Sequence, residues 1–222
     1  MLVLGFDSAG AGASAAILRD GAVVAGRAVS QERGQAEILM PMIADLFDAA
    51  RIEARALDLI GVTVGPGSFT GLRIAIAAAR GLALAAGIPA LGVSSFAATA
   101  ARLPPAARGG RALLVVLDTR RDDFYLQLGT ADGPGEPRLS TGEAAALWLP
   151  RVPLLLAGDA ARRLAPALGG RDIAIAENVT QVCAEDVARL AAAAFRPGVA
   201  IPPPQPLYLR PPATTVPKTA SP

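Results

Sequence analysis

Two stretches half a chain apart read alike. Leu2-Val3-Leu4-Gly5-Phe6 runs into Asp7-Ser8, and Leu113-Leu114-Val115-Val116-Leu117 runs into Asp118-Thr119. Each is a short apolar run, the pattern of a buried strand, and each ends in an aspartate and a hydroxyl residue. The residues downstream match as well. Residues 13–18 lead to Asp20-Gly21 and a further strand at 22–29, while 124–128 lead to Asp132-Gly133. Asp-Gly between apolar runs signals a hairpin, because the tight turn needs positive φ at both central residues. A recurrence at this offset predicts two related halves, each opening on a β-meander with an aspartate at its first turn.

The other elements fill in an α/β chain. Apolar residues at Ile38, Leu39, Met42, Ile43, Leu46, Phe47 and Ala50 predict a helix over 35–51, with Pro41 a kink or a weak first turn. Strands are expected at 59–64, 89–93 and 152–157, the last ending at Gly158-Asp159. Helices are expected at 72–86, from a Ser94-Ser95 cap to about 102, at 141–149 and at 184–195. Residues 103–111, with two prolines and two glycines, read as a linker. From Arg196 the chain is proline-rich and expected to be extended, with Leu207, Tyr208 and Leu209 pinning it to the body. Beyond about 213 disorder is expected. The expected division is an N-terminal subdomain at 1–102, a C-terminal one at 103–212 and a tail at 213–222.

Between the strand at 59–64 and the next helix lies Gly65-Pro66-Gly67-Ser68-Phe69-Thr70-Gly71-Leu72-Arg73. Its glycines permit tight turns, and Ser68 or Thr70 can cap the helix. A glycine-rich loop before a helix N-terminus can also cradle an anion. The helix behind it is unusual. From 72 to 86 only Arg73 and Arg80 are charged, and Gly71, Ala75, Ala79, Ala83 and Gly87 form a row at four-residue spacing. A helix apolar nearly all round is normally buried nearly all round. Small residues along one row let a second helix approach closely. The helix is thus either a core helix of its own domain or the seat of a partner chain.

Composition removes several functions. There is no histidine among the 222 residues, which excludes Ser-His-Asp and Cys-His catalysis and any metal site with imidazole ligands. One cysteine, Cys183, allows no internal disulfide and points to a reducing compartment; it reads as a small core residue beside a helix start. Net charge is +2, Lys218 is the sole lysine, and the only basic pairs are Arg120-Arg121 and Arg162-Arg163. Direct nucleic-acid binding therefore lacks its usual sequence signature, a concentrated basic block. The N-terminus carries no secretory pattern. The apolar region 74–93 is broken by Arg80, Gly81, Gly87 and Pro89, against a membrane span. A cytosolic protein is expected.

Asp7 and Asp118, each at a strand end in a β-turn-β setting, resemble the paired phosphate loops of the actin-like ATPase superfamily, with Gly158-Asp159 where its adenosine-side turn falls. Their carboxylates suit magnesium. They equally suit turn aspartates bonded to their own backbone. The first loop reads Asp-Ser-Ala-Gly-Ala-Gly, and the second places Arg120, Arg121, Asp122 and Asp123 where a small phosphate-binding loop is expected.

The nonapeptide 65–73 resembles the signature of the bacterial TsaB family. Asp7-Ser8, Leu39-Met40-Pro41-Met42, Leu117-Asp118-Thr119-Arg120-Arg121, Ala157-Gly158-Asp159 and Pro206-Leu207-Tyr208-Leu209-Arg210 agree in order. The resemblance implies a duplicated actin-like (ASKHA, ribonuclease-H-like) fold, two similar mixed-sheet subdomains with flanking helices. It also implies a non-catalytic subunit of the complex that makes N6-threonylcarbamoyladenosine in tRNA. The implied partners are a catalytic TsaD-like chain, whose metal-holding histidine pair has no counterpart in helix 35–51 here, and a TsaE-like ATPase. No metal or cofactor is expected on this chain, ATP being used by the partners, and tRNA is met through the complex. No membrane is involved.

The expected partner interface is Ile38, Leu39, Met42, Leu46, Leu72, Ala75, Ile76, Ala79, Arg80 and Ala83. Asp7, Ser8, Asp118, Gly158 and Asp159 would be a vestigial nucleotide site. The rival readings are an ATP-binding phosphotransferase or ATPase using Asp7 and Asp118, a peptidase, which the missing histidine disfavours, and a module that pairs with its own copy when the partner is missing.

Overall fold

A computed structural model of the chain describes residues 1–30, 34–130 and 132–210. Its first sheet is built from β1 (Leu2–Asp7), β2 (Ala13–Arg19), β3 (Ala22–Val29), β4 (Leu59–Gly65) and β5 (Ala90–Ser94), in the order β3-β2-β1-β4-β5. Between these strands lie helices α1 (Gln35–Ala50) and α2 (Phe69–Ala86), and α3 (Ser95–Ala101) follows β5. β1 pairs antiparallel with β2 and parallel with β4. Asp20 and Gly21 have φ of 51° and 83°, the two positive values the β2–β3 hairpin requires.

The second sheet repeats the plan with β6 (Ala112–Asp118), β7 (Asp123–Thr130), β8 (Gly133–Pro134), β9 (Arg138–Thr141), β10 (Leu154–Ala157) and β11 (Ile173–Ile175). Its order is β11-β10-β6-β7-β8, with β9 also on β7. β6 and β7 pair antiparallel, while β6, β10 and β11 run parallel. An antiparallel hairpin feeding parallel strands thus occurs twice, and the expected duplicated actin-like architecture is present. The short strands β8, β9 and β11 and helix α5 (Ala161–Leu164) have no counterpart among the elements expected from the sequence. Helix α4 (Gly142–Trp148) is capped by Thr141, whose hydroxyl accepts from Ala144 N.

Alternation along β1 explains the layers. Leu2, Leu4 and Phe6 join β2, β4, α1 and α2 in one core. Val3 faces the other way, onto α6 (Ala184–Ala194), with Val187, Ala188 and Ala191. A Cβ on Gly5 would lie 2.4 Å from the Ala184 carbonyl, so glycine there lets the last helix touch the first sheet's backbone. Residues from the second expected subdomain therefore finish the first lobe. α3 works in the opposite direction, placing Phe96 in the core of β6 and β10. Truncating a wholly buried phenylalanine costs about 3–5 kcal/mol.

Pro41 sits inside α1 without ending it, its ring on the exposed side. The proline-rich segment has no regular structure to residue 210 and forms a strap over the body: Leu207 N donates to Val64 O at 2.7 Å, and Arg80 reaches Pro204 O at 2.7 Å. The expected disorder past 213 concerns residues outside those described.

Candidate functional site

The signature loop is fixed to the first turn of the chain. Ser68 N donates to Ala9 O at 2.7 Å, and the Ser8 hydroxyl donates to Gly71 O at 2.8 Å. A Cβ on Gly67 would meet Ala9 O at 2.6 Å, and one on Gly71 would meet Ser8 O at 1.8 Å. These two glycines are dictated by backbone-to-backbone approach. Gly65 ends β4 with φ of 111°, Pro66 is buried, and Ser68 caps α2 by accepting from Gly71 N at 3.2 Å. Thr70 is exposed beside it. Phe69 and Arg73 point outward, the guanidinium 3.7 Å above the ring centre.

The two strand-end aspartates have diverged. Asp7 is buried; one carboxylate oxygen accepts from Ala9 N at 3.0 Å and from the Thr63 hydroxyl. Burial pushes its carboxyl above the ordinary range, against the pull of those hydrogen bonds. Asp118 is half-buried and accepts from Arg120 N at 2.9 Å and from the Arg163 guanidinium at 2.6 Å. Its own N–H donates to Asp159 at 2.8 Å, and burial also raises Asp159. Gly158, at φ 113°, packs so closely that a Cβ would meet Val116 O at 2.2 Å.

Between the two loops, among Ala9, Gly10, Asp118 and Asp159, the cavity is about 30 Å³, room for about one water. Ligand pockets start at about 300 Å³. Asp7 lines a separate hollow of about 180 Å³, together with Gly10, Gly12, Ser14 and Cys183. Among the described residues no three His, Cys, Asp or Glu side chains gather as metal ligands.

Most residues of the expected interface face inward in the chain itself. Leu39, Met42 and Leu46 of α1, and Leu72, Ala75, Ile76 and Ala79 of α2, are buried in the chain's own core. Ile38 and Ala83 are half-buried, and Arg80, though exposed, is engaged by Pro204. The physical reason is close packing. A helix apolar around its circumference carries no directional signal, and the sheet takes the smallest row because it lets α2 sit nearest β4. What faces outward is the neighbouring stripe: Ala77, Gly81, Leu84 and Ala85, with Leu84 86% exposed. On α1, Met40, Pro41, Ala44 and Ala49 are exposed among the described side chains. Of the described helices, α2 alone is long and apolar enough to cross a membrane, yet Gly71, Leu72, Ala75, Ile76 and Ala79 bury its inner face in the protein.

A second feature was invisible in sequence. A cavity of about 580 Å³ lies between the start of α2, the β6–β7 turn and residues 207–210, lined among others by Phe69, Arg73, Arg120, Arg121, Tyr208 and Arg210. Its arginines come from three distant stretches, so no basic block announced them. Cys183 stands directly before α6 as expected, but it is half-buried and not part of the core.

Fold and site together define a duplicated actin-like protein whose strand-end aspartates accept internal hydrogen bonds, and whose first lobe presents an uncovered apolar helix face. A family model described as TsaD, tRNA N6-adenosine threonylcarbamoyltransferase, matches residues 25–135, half of the chain. The tRNA threonylcarbamoyladenosine biosynthesis protein TsaB of Escherichia coli (strain K12) is 33% identical over 125 residues, 56% of this chain and 53% of that protein. The chain thus spans about half the length of the curated relatives it matches.

The structure of YeaZ from Pseudomonas aeruginosa superposes with a TM-score of 0.80 at 28% identity, over 94% of this chain and 99% of the other. A second P. aeruginosa structure, described by similarity to peptidase YEAZ, matches equally well. The (R)-2-hydroxyglutaryl-CoA dehydratase component A of Acidaminococcus fermentans shares the fold, with a TM-score of 0.55 at 11% identity over 87% of this chain and 98% of the other. The chain belongs to the TsaB family.

Proposed function

We propose that this protein is the scaffold and activator subunit of a complex that transfers a threonylcarbamoyl group to N6 of the adenosine beside the tRNA anticodon. In this reading it is non-catalytic and cytoplasmic. It pairs with a TsaD-like catalytic chain, supports recruitment of a TsaE-like ATPase, binds no cofactor of its own and meets tRNA within the complex. Without its partner the same face pairs with a second copy.

The observation that carries this is the α2 stripe Ala77, Gly81, Leu84 and Ala85, next to α1's Met40, Pro41 and Ala44. An uncovered row of small and apolar residues on a long helix suits a facing helix at short distance. The engaged state of Asp7 and Asp118 fits a subunit that does no phosphoryl chemistry. The test is affinity capture of a TsaD-like chain by wild type and by Leu84→Arg. Capture by wild type and loss in the variant, at unchanged thermal stability, is expected. Equal capture by both would remove the stripe from the interface.

A further inference from the structure

The cavity of about 580 Å³ between the lobes combines four arginines, Arg73, Arg120, Arg121 and Arg210, with Phe69, Tyr125 and Tyr208, against one lining carboxylate, Asp118. That carboxylate is already held by Arg163 at 2.6 Å, with Arg120 3.8 Å away. Asp123, just outside, is taken by Arg210 and by the Thr119 hydroxyl. Asp122 faces the adjoining hollow with Asp123. Arg73 and Arg121 have no carboxylate within ion-pair distance among the described residues. The Arg73 Nε donates to the Tyr208 hydroxyl at 3.2 Å, and the Phe69 and Tyr208 rings lie 5.7 Å apart, tilted by 32°. Phe69 is 48% exposed and Tyr208 41%, unusual for rings that could have been buried.

We infer that this cleft seats an unpaired nucleotide of a single-stranded RNA segment. The base would stack on the Phe69–Arg73–Tyr208 platform, and Arg121 would meet the adjoining phosphate. Exposed aromatic rings beside arginines are the chemistry that holds single-stranded nucleic acid. Arginine's planar fork suits phosphate oxygens. The volume exceeds the ~300 Å³ lower bound of ligand pockets, and its open rim lets a strand continue past it. This deepens the proposed function and rests on it for the choice of RNA, since it assigns a tRNA contact to this subunit itself.

The test is fluorescence anisotropy with the full chain alone and a labelled single-stranded RNA octamer at low salt, competed by AMP. Expected is saturable binding that Arg121→Ala weakens about tenfold, with the salt dependence of log K reduced by about one. Tyr208→Ala should weaken binding by a similar factor, and Tyr208→Phe should restore it. The exposed control Arg55→Ala should bind as wild type. Absence of saturable binding overturns the inference. So does equal binding by the Arg121→Ala variant, or displacement by AMP at the concentration at which unlabelled octamer displaces, which would mark a free-nucleotide site. The scaffold reading is tested separately, by partner capture, and stands or falls without RNA.

Discussion

The two lobes share a strand order and little else. In the first, the hairpin turn after β1 is built of serine, alanine and glycine, Asp7 is buried against Thr63, and the long helices α1 and α2 cover one face of the sheet. In the second, the matching turn carries Arg120 and Arg121, Asp118 is gripped by Arg163, and only the short α4 and α5 cover the corresponding core. One topology has thus been specialised twice: the first lobe offers an apolar helix face, the second an arginine-rich rim. In both lobes the strand-end aspartate accepts hydrogen bonds from its own turn. The two aspartates thus share one role, each satisfying a turn N–H group.

That contrast can be broken most severely inside α2. Ala79 has 0% exposure, and Ala79→Arg places an unpaired charge in the core. It should cost more than about 4 kcal/mol and leave little folded protein, read by thermal unfolding. A stable Ala79→Arg variant would show that the helix is rotated from the orientation described. Leu84→Arg, one face away, should leave the melting temperature within about 2 °C of wild type and still abolish partner capture.

A smaller effect is expected where the lobes are tied. Arg210 binds Asp123 across the end of the strap. Burial pushes the Asp123 carboxyl up, but hydrogen bonds from Thr119 and Arg210 and the arginine's charge outweigh it and hold the carboxyl below its ordinary value. The pair therefore contributes stability above the ordinary carboxylate range, lost as pH falls through the depressed value. Arg210→Ala should cost about 1 kcal/mol at neutral pH after screening, and the difference from wild type should vanish in acid. Urea unfolding along a falling pH series checks this; a difference that never shrinks as pH falls through the depressed value would assign the cost to packing.

The smallest change concerns Asp7, whose carboxyl is raised by burial. Its contribution is fully present below the unfolded-state value and is lost as pH rises through the raised value. Asp7→Asn keeps an oxygen acceptor for Thr63 and Ala9 and removes the titration. The variant should match wild type only below the unfolded-state carboxylate value and gain on it as pH rises through the raised value, in the same assay. A variant less stable than wild type at every pH would mean the charged form is favoured in the fold.

Local features were legible in the sequence. The Asp20-Gly21 turn, the strand ends at Asp7 and Asp118, the Ser68 cap and the strap contact at Leu207 follow from residue type and spacing, because each is decided within a few residues or by one apolar run. The rotation of α2 was not legible. Alanine and glycine on every side leave no preferred direction, and only packing against β4 shows that Ala75 and Ala79 face inward while Ala77 and Gly81 do not. The return of α6 to the first sheet was hidden for a related reason, since Gly5 and Gly61 become docking points only when Ala188 and Ala191 lie against them. The arginine cleft needed three-dimensional assembly. Residues 73, 120, 121 and 210 share no sequence window, so a charge pattern read along the chain passes over them.

The central claim, a scaffold that acts through α2 and performs no chemistry at Asp7, is tested most directly by reconstitution. Threonylcarbamoyl transfer to tRNA would be measured with a TsaD-like chain, a TsaE-like ATPase, ATP and a threonylcarbamoyl donor. The arms are no added chain, wild type, Asp7→Asn and Leu84→Arg. The account predicts transfer that requires this protein, survives Asp7→Asn and is lost in Leu84→Arg. Transfer abolished by Asp7→Asn, in a variant that still folds and still captures its partner, would contradict it and make the buried aspartate the active site.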